Sequence, residues 1–244
     1  MVSSVFDLFK IGVGPSSSHT MGPMTAACNF VELLADEGLL DRTSAVGVDL
    51  YGSLALTGKG HATDRAILLG LSGERPDRMD PDAADLIVAA IRDTGRLRLA
   101  GKCEVEFVEQ RDLRFLQRER LPHHSNGMRF TALDSGGQAL ESKVYYSVGG
   151  GAVVDESAVA RNAPPDGAWD VPFGFSSSEE LLAICAREQL TIAEVVRANE
   201  RASKTDEEID RRLGEIAGAM SACIDRGIAA SGILPGGLNV KRRA

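Results

Sequence analysis

Apolar positions recur with a helical period of about 3.6 early in the chain and alternate with a period of 2 through its middle. Met24, Ala27, Val31 and Leu34 stand at i, i+3, i+7 and i+10 and predict a helix over about 22–37, with Pro23 suited to its first turn. Ala45–Tyr51 alternates Val46, Val48 and Leu50 with Gly47 and Asp49, which predicts a strand. Helices follow at about 63–71, closed by Ser72-Gly73, and at about 82–94, with Leu86, Ile87, Ala90 and Ile91 as the expected buried stripe. Strands are expected over 103–108, with Cys103, Val105 and Phe107 on one face, and over 126–133 and 138–147, the last two joined by the turn Asp134-Ser-Gly-Gly137. The pattern reads as α+β, helices laid on a sheet, over residues 1–155.

The character changes over 156–175, where Pro164-Pro165-Asp166-Gly167, Pro172 and Gly174 predict a linker. Residues 176–244 read as all-helical. Three capping boxes, Ser177…Glu180, Thr191…Glu194 and Thr205…Glu208, each open an apolar periodic run. Three helices are few for an independent core, so this segment reads as part of a larger helical domain.

Composition narrows the function classes. A net charge of −8 leaves no broad basic surface for nucleic acid, despite the terminal Lys241-Arg242-Arg243. No apolar run reaches the roughly 20 residues of a membrane span, and no leader pattern opens the chain, so a cytoplasmic protein is expected. Cys28, Cys103, Cys185 and Cys223 form no C-x-x-C pair and read as buried free thiols; no metal site is expected in this chain.

Candidate chemistry gathers in glycine- and serine-rich stretches, where all four histidines lie. Gly14-Pro-Ser16-Ser17-Ser18-His19-Thr20-Met-Gly-Pro-Met24 is expected on a loop feeding a helix N-terminus, a place for a carboxylate or phosphate. Capping alone would also explain its hydroxyls. Gly58-Lys-Gly-His61-Ala-Thr63-Asp64 puts His61 just before a helix that Thr63 is expected to cap, where the dipole favours a neutral, proton-accepting ring. Asp64 either caps that helix or orients His61. Pro122-His-His124-Ser-Asn126-Gly127 is a turn with either a structural or a binding role. Ser147-Val-Gly149-Gly150-Gly-Ala152 offers a backbone nest for an anion or, alternatively, a bulge. Together these groups suit a small carboxylate substrate and proton abstraction at its α-carbon.

Val5–Met24, Tyr51–Asp64, Tyr145–Gly151 and Leu234-Pro-Gly-Gly-Leu238 resemble, in order, motifs of the bacterial iron–sulfur L-serine dehydratases. The resemblance implies a β domain similar to the allosteric substrate-binding domain of D-3-phosphoglycerate dehydrogenases. It also implies a helical α domain carrying a [4Fe–4S] cluster, deamination of L-serine to pyruvate and ammonia, and a homo-oligomer. His61 matches the proposed base. Ser16, Ser17, Ser18, His19, Thr20 and Thr63 match the polar loops of the cleft, Ser147, Gly149 and Gly150 its glycine edge, and His124 and Asn126 a regulatory amino-acid site. Family members are nearly twice as long, and none of the cysteines here matches a cluster ligand. The chain is therefore expected to need an α-domain partner and to be inactive alone. The alternative is a non-catalytic module that binds an amino acid.

Overall fold

The computed structural model describes residues 4–160, 170–233 and 239–242. The Leu234–Leu238 motif and residues 161–169 of the expected linker lie outside the described residues.

The chain divides into two compact units: Gly12–Arg161 with Gly232–Arg242, and Met1–Ile11 with Asn162–Ser231 and the last two residues. In chain order the elements are α1 (Val5–Leu8), a π-helical turn (Ser17–Met21), α2 (Gly22–Asp36), β1 (Ala45–Tyr51), α3 (Gly52–Thr57), a 3₁₀ turn (Gly58–His61), α4 (Thr63–Leu71) and α5 (Ala84–Thr94). Then come β2 (Arg96–Leu99), β3 (Cys103–Glu106), α6 (Glu109–Asp112), β4 (Leu113–Leu116), β5 (Gly127–Leu133), β6 (Ala139–Gly149), β7 (Ala152–Asp155) and α7 (Glu156–Ala160). Three helices follow: α8 (Ser178–Glu188), α9 (Ile192–Glu200) and α10 (Asp206–Ala229).

In the larger unit a five-stranded sheet runs β4-β1-β5-β6-β7, antiparallel except for the β1–β4 pair. Val46, Val48 and Leu50 of β1 are buried together with Met24, Phe30, Val31 and Leu34 of α2. Phe30 stacks on Phe130 of β5 with ring centroids 5.4 Å apart, which seats α2 on the sheet. Gly70 of α4 meets the backbone of α2, because a Cβ there would overlap the Met24 carbonyl. The larger unit is thus α+β, with helices packed on the sheet.

The structure departs from the sequence pattern in α5. Ala84, Val88 and Ile91 form its buried stripe, whereas Leu86 is 75% exposed. Leu97 and Leu99 of the unanticipated β2 are fully buried and pair with β3 as a separate hairpin.

In the smaller unit α1 belongs with the helices. Glu200, 3% exposed, accepts hydrogen bonds from Ser4 Oγ (2.8 Å), Val5 N–H (2.7 Å) and Lys204 Nζ (2.9 Å). Phe6 packs under the Arg212 guanidinium, 4.1 Å from the ring centre. A complete capping box forms at Thr191–Glu194; Ser177 and Thr205 cap through their hydroxyls. No helix among the described residues is long and apolar enough to cross a membrane.

Candidate active site

The serine-rich stretch is a tight turn rather than a loop. Ser16 Oγ accepts the His19 N–H at 3.1 Å, and the Ser16 carbonyl accepts from Thr20 and Met21. The π-helical turn then runs straight into α2, so the free N-terminal end of the helical segment sits at Ser17 and not at Gly22. Gly14, with φ of +85°, presses its Cα against Thr20, where a side chain would overlap the threonine methyl.

The second polar segment folds against this turn. β1 ends at Tyr51 and α3 opens at Gly52, whose φ is +51° and whose Cα abuts the Ser125 carbonyl. After α3 and the 3₁₀ turn, Ala62 takes the left-handed conformation (φ +57°) and α4 begins. Two hydroxyls lock the segments together. Thr20 Oγ1 donates to the His61 carbonyl at 2.7 Å, and Thr63 Oγ1 donates to the His19 carbonyl. Thr63 is thus the first residue of α4, fully buried, and its hydroxyl ties two loops together instead of capping the helix.

These ties bring the two imidazoles together, centroids 4.9 Å apart and planes tilted by 43°. His19 lies between Ser18 Oγ (2.9 Å from Nδ1) and Ser53 Oγ (3.0 Å from Nε2). Burial, and secondarily the neighbouring His61, push its pKa below the ordinary 6.5, against a smaller opposing interaction with the Ser53 backbone. His19 is therefore neutral at pH 7. His61 Nδ1 lies 2.9 Å from the Thr57 carbonyl oxygen. A carbonyl only accepts, so Nδ1 carries a proton, and in the neutral ring Nε2 carries the lone pair. The Asp64 carboxylate pairs with Arg92 at 2.9 Å and so orients α4 against α5 rather than His61; Arg92 also holds Glu109 at 2.8 Å.

The glycine edge meets the same turn. Gly149, Gly150 and Gly151 all have positive φ (+111°, +59° and +77°), where the β6–β7 register shifts. A Cβ on Gly151 would stand 3.1 Å from Met21 Cε. Ser147 itself is fully buried, and its Oγ has no hydrogen-bond partner among the described residues. It packs on the Cα of Gly22, where a Cβ would overlap it. Ser147 exchanges hydrogen bonds with Asn126: its N–H donates to the Asn126 carbonyl (3.0 Å) and its carbonyl accepts Asn126 Nδ2 (3.2 Å). His124 Nδ1 accepts the Asn126 N–H at 3.1 Å.

Ser16, Ser18, His19, Thr20, His61 and Thr63 therefore converge. Ser17 is exposed on the same turn, Gly149 and Gly150 line the strand end, and Ser147, His124 and Asn126 brace one another behind it.

The thiols do not converge. Cys28 is buried beside Glu32 and the Gly73 carbonyl, and burial, reinforced by Glu32, pushes its thiol up to about 11. Cys103 and Cys185 are half-buried and Cys223 is exposed, so burial of all four thiols is corrected to Cys28 alone. Among the described residues no three His, Cys, Asp or Glu side chains could hold a metal ion together. The donor set present does not fit an iron–sulfur cluster.

Residues 4–158 match the family described as serine dehydratase beta chain. The chain belongs to this family. It is 47% identical over 244 residues to the L-serine dehydratase of Streptomyces coelicolor, covering all of this chain and 54% of that protein. L-serine dehydratase 1 of Escherichia coli is 45% identical over 242 residues, 52% of its length, and the L-serine dehydratase of Mycobacterium bovis is 43% identical over 244 residues, again 52% of its length. The chain thus spans about half the length of these curated relatives.

Within this serine dehydratase beta chain unit, motif reading missed Ser53 and Thr57. Both lie in the Tyr51–Asp64 stretch and stand four apart on α3, a spacing that puts them on one helix face. That spacing was the available signal.

Proposed function

We propose that this chain supplies the base-bearing half of an L-serine dehydratase, which deaminates L-serine to pyruvate and ammonia. One observation carries the reading: His61 is held with Nδ1 on the Thr57 carbonyl, leaving the Nε2 lone pair to accept a proton, beside a neutral His19. The hydroxyl and backbone donors of Ser16, Ser17 and Ser18 form the carboxylate end of the cleft, with Gly149 and Gly150 as its glycine edge. Thr20 and Thr63 act on substrate indirectly, because their hydroxyls brace the backbone of the two histidines.

His61 Nε2 takes the α-proton, the electron pair forms the Cα–Cβ double bond, and the β-hydroxyl departs with its bonding pair. The aminoacrylate tautomerises to an imine, and water converts that to pyruvate and ammonia. Stabilising the departing hydroxyl falls to groups outside the described residues. In this reading they include a [4Fe–4S] cluster ligated by the α-domain half, whether continuous with this chain or a separate chain. The isolated 244 residues are then inactive. His124 and Asn126 would serve a regulatory amino-acid site, resting on their grip on the Ser147 strand. The same reading gives a cytoplasmic homo-oligomer in amino-acid catabolism, feeding gluconeogenesis.

The test is anaerobic co-expression with the C-terminal half of the Streptomyces coelicolor relative, followed by pyruvate assay on L-serine. Pyruvate formation supports the proposal. Saturable L-serine binding to the assembled protein without pyruvate overturns it in favour of a non-catalytic amino-acid-binding module.

A further inference from the structure

Ser53 is the point where the two histidines share a support. Its Oγ lies 3.0 Å from His19 Nε2, and its carbonyl accepts the Thr57 hydroxyl at 3.0 Å. Thr57, one turn on, holds His61 Nδ1 through its own carbonyl. The near end of α3 is itself anchored, since Ser53 N–H donates to the Ser125 carbonyl at 2.8 Å and Gly52 N–H to the Glu119 carbonyl at 3.1 Å. A six-residue helix therefore touches both imidazoles, His19 by a side chain and His61 by a main-chain carbonyl.

We propose that Ser53 is a positioning residue for the base: through its hydroxyl it fixes the His19 ring against His61, and so confines His61 to the orientation in which Nε2 accepts the substrate proton. This rests on the dehydratase reading above. The physical argument is steric and directional. The Thr57 carbonyl fixes one edge of the His61 ring, and the tilted His19 ring packs against it. His19 serves as a fixed wall only while both its nitrogens are held, by Ser18 and Ser53. Without the Ser53 hydroxyl, one of the two restraints is gone and the ring turns about its remaining bond.

The experiment compares Ser53→Ala, Ser53→Thr and the unaltered chain by long-range ¹H–¹⁵N spectra of the imidazoles and by ring-to-ring nuclear Overhauser effects. Alanine keeps the helix and the backbone bond to Ser125. We expect Ser53→Ala to move the His19 Nε2 resonance towards that of a solvated imidazole and to weaken the His19–His61 effects, and Ser53→Thr to restore both. Ser53→Cys, matched in volume, decides the matter if the alanine variant does not fold. Unchanged imidazole resonances in a folded variant overturn the proposal. In the assembled enzyme Ser53→Ala is expected to lower kcat about tenfold, the effect of one lost hydrogen bond, with KM near that of the unaltered enzyme. An assembled enzyme without any activity would count against the dehydratase reading, while the spectra would still decide the role of Ser53.

Discussion

The Nδ1 atom of His61 is bonded to the carbonyl of Thr57, four residues earlier, at the end of α3. That carbonyl belongs to the last residue of α3, which is also the residue from which the 3₁₀ turn Gly58–His61 springs. The bond holds one edge of the ring and selects the Nδ1–H tautomer of the neutral imidazole. The local fold, rather than a carboxylate, therefore orients His61, and Asp64 ties α4 to Arg92.

His19 gives a pH signature. Its folded pKa lies below the ordinary 6.5, so the unfolded chain binds the proton first as pH falls. The stability it contributes is fully present above about pH 6.5 and declines below it until the folded pKa is passed. Urea midpoints of the unaltered chain should fall between about pH 7.5 and 5.5, and His19→Gln should show a shallower fall. Parallel curves for the two proteins would contradict this.

The close approach of Gly22 to Ser147 predicts a coupled pair. Gly22→Ala drives a methyl into the serine side chain and should destabilise the protein by about 1–3 kcal/mol. Ser147→Gly in the same chain should recover part of that loss, giving a non-additive double-mutant cycle in urea denaturation. Additive effects would show that the two residues do not meet.

In the helical unit, Glu200 holds the N-terminal segment. Glu200→Ala removes the acceptor for Ser4 and Val5 from a buried site and should cost about 3 kcal/mol or more. Hydrogen exchange at the Val5 amide should accelerate in step. A variant that unfolds at the unaltered temperature, with Val5 still protected, would rule this out.

Thiol chemistry should follow burial. With its pKa near 11, Cys28 carries on the order of one thiolate per thousand molecules at pH 8, and its thiol is buried besides. Peptide mapping after brief alkylation should find Cys223 modified and Cys28 untouched until the chain unfolds. Early modification of Cys28 would contradict the packing of α2.

Much of the fold was legible from the hydrophobic pattern, and its failures have physical causes. Met24, Ala27, Val31 and Leu34 are all fully buried, as their spacing predicts, because a 15-residue helix averages out local accidents. The four-residue strands β2 and β4 escaped, although Leu97 and Leu99 alternate with Arg96 and Arg98. A strand that short takes its identity from a distant partner, as β4 does from its parallel pairing with β1. Leu86 was misassigned because α5 buries a stripe too narrow to include every apolar position.

At the site, the glycine-rich stretch around His61 and the hydroxyls around His19 marked the segments whose two imidazoles come together. The π-helical turn left no local signal, since the bonds that hold it against its surroundings come from Thr20 to the His61 carbonyl and from Thr63 to the His19 carbonyl. Ser147 looked like a cleft hydroxyl but is buried behind Gly22. A sequence lists the hydroxyls without saying which face the cleft.

The most direct test is pyruvate formation from L-serine by the anaerobically assembled enzyme, comparing His61→Ala with the unaltered chain. Loss of a general base should lower kcat by about 10²–10⁴-fold, with assembly and fold intact. A folded, assembled His61→Ala enzyme that turns over L-serine at the unaltered rate would contradict the assignment of His61 as the base.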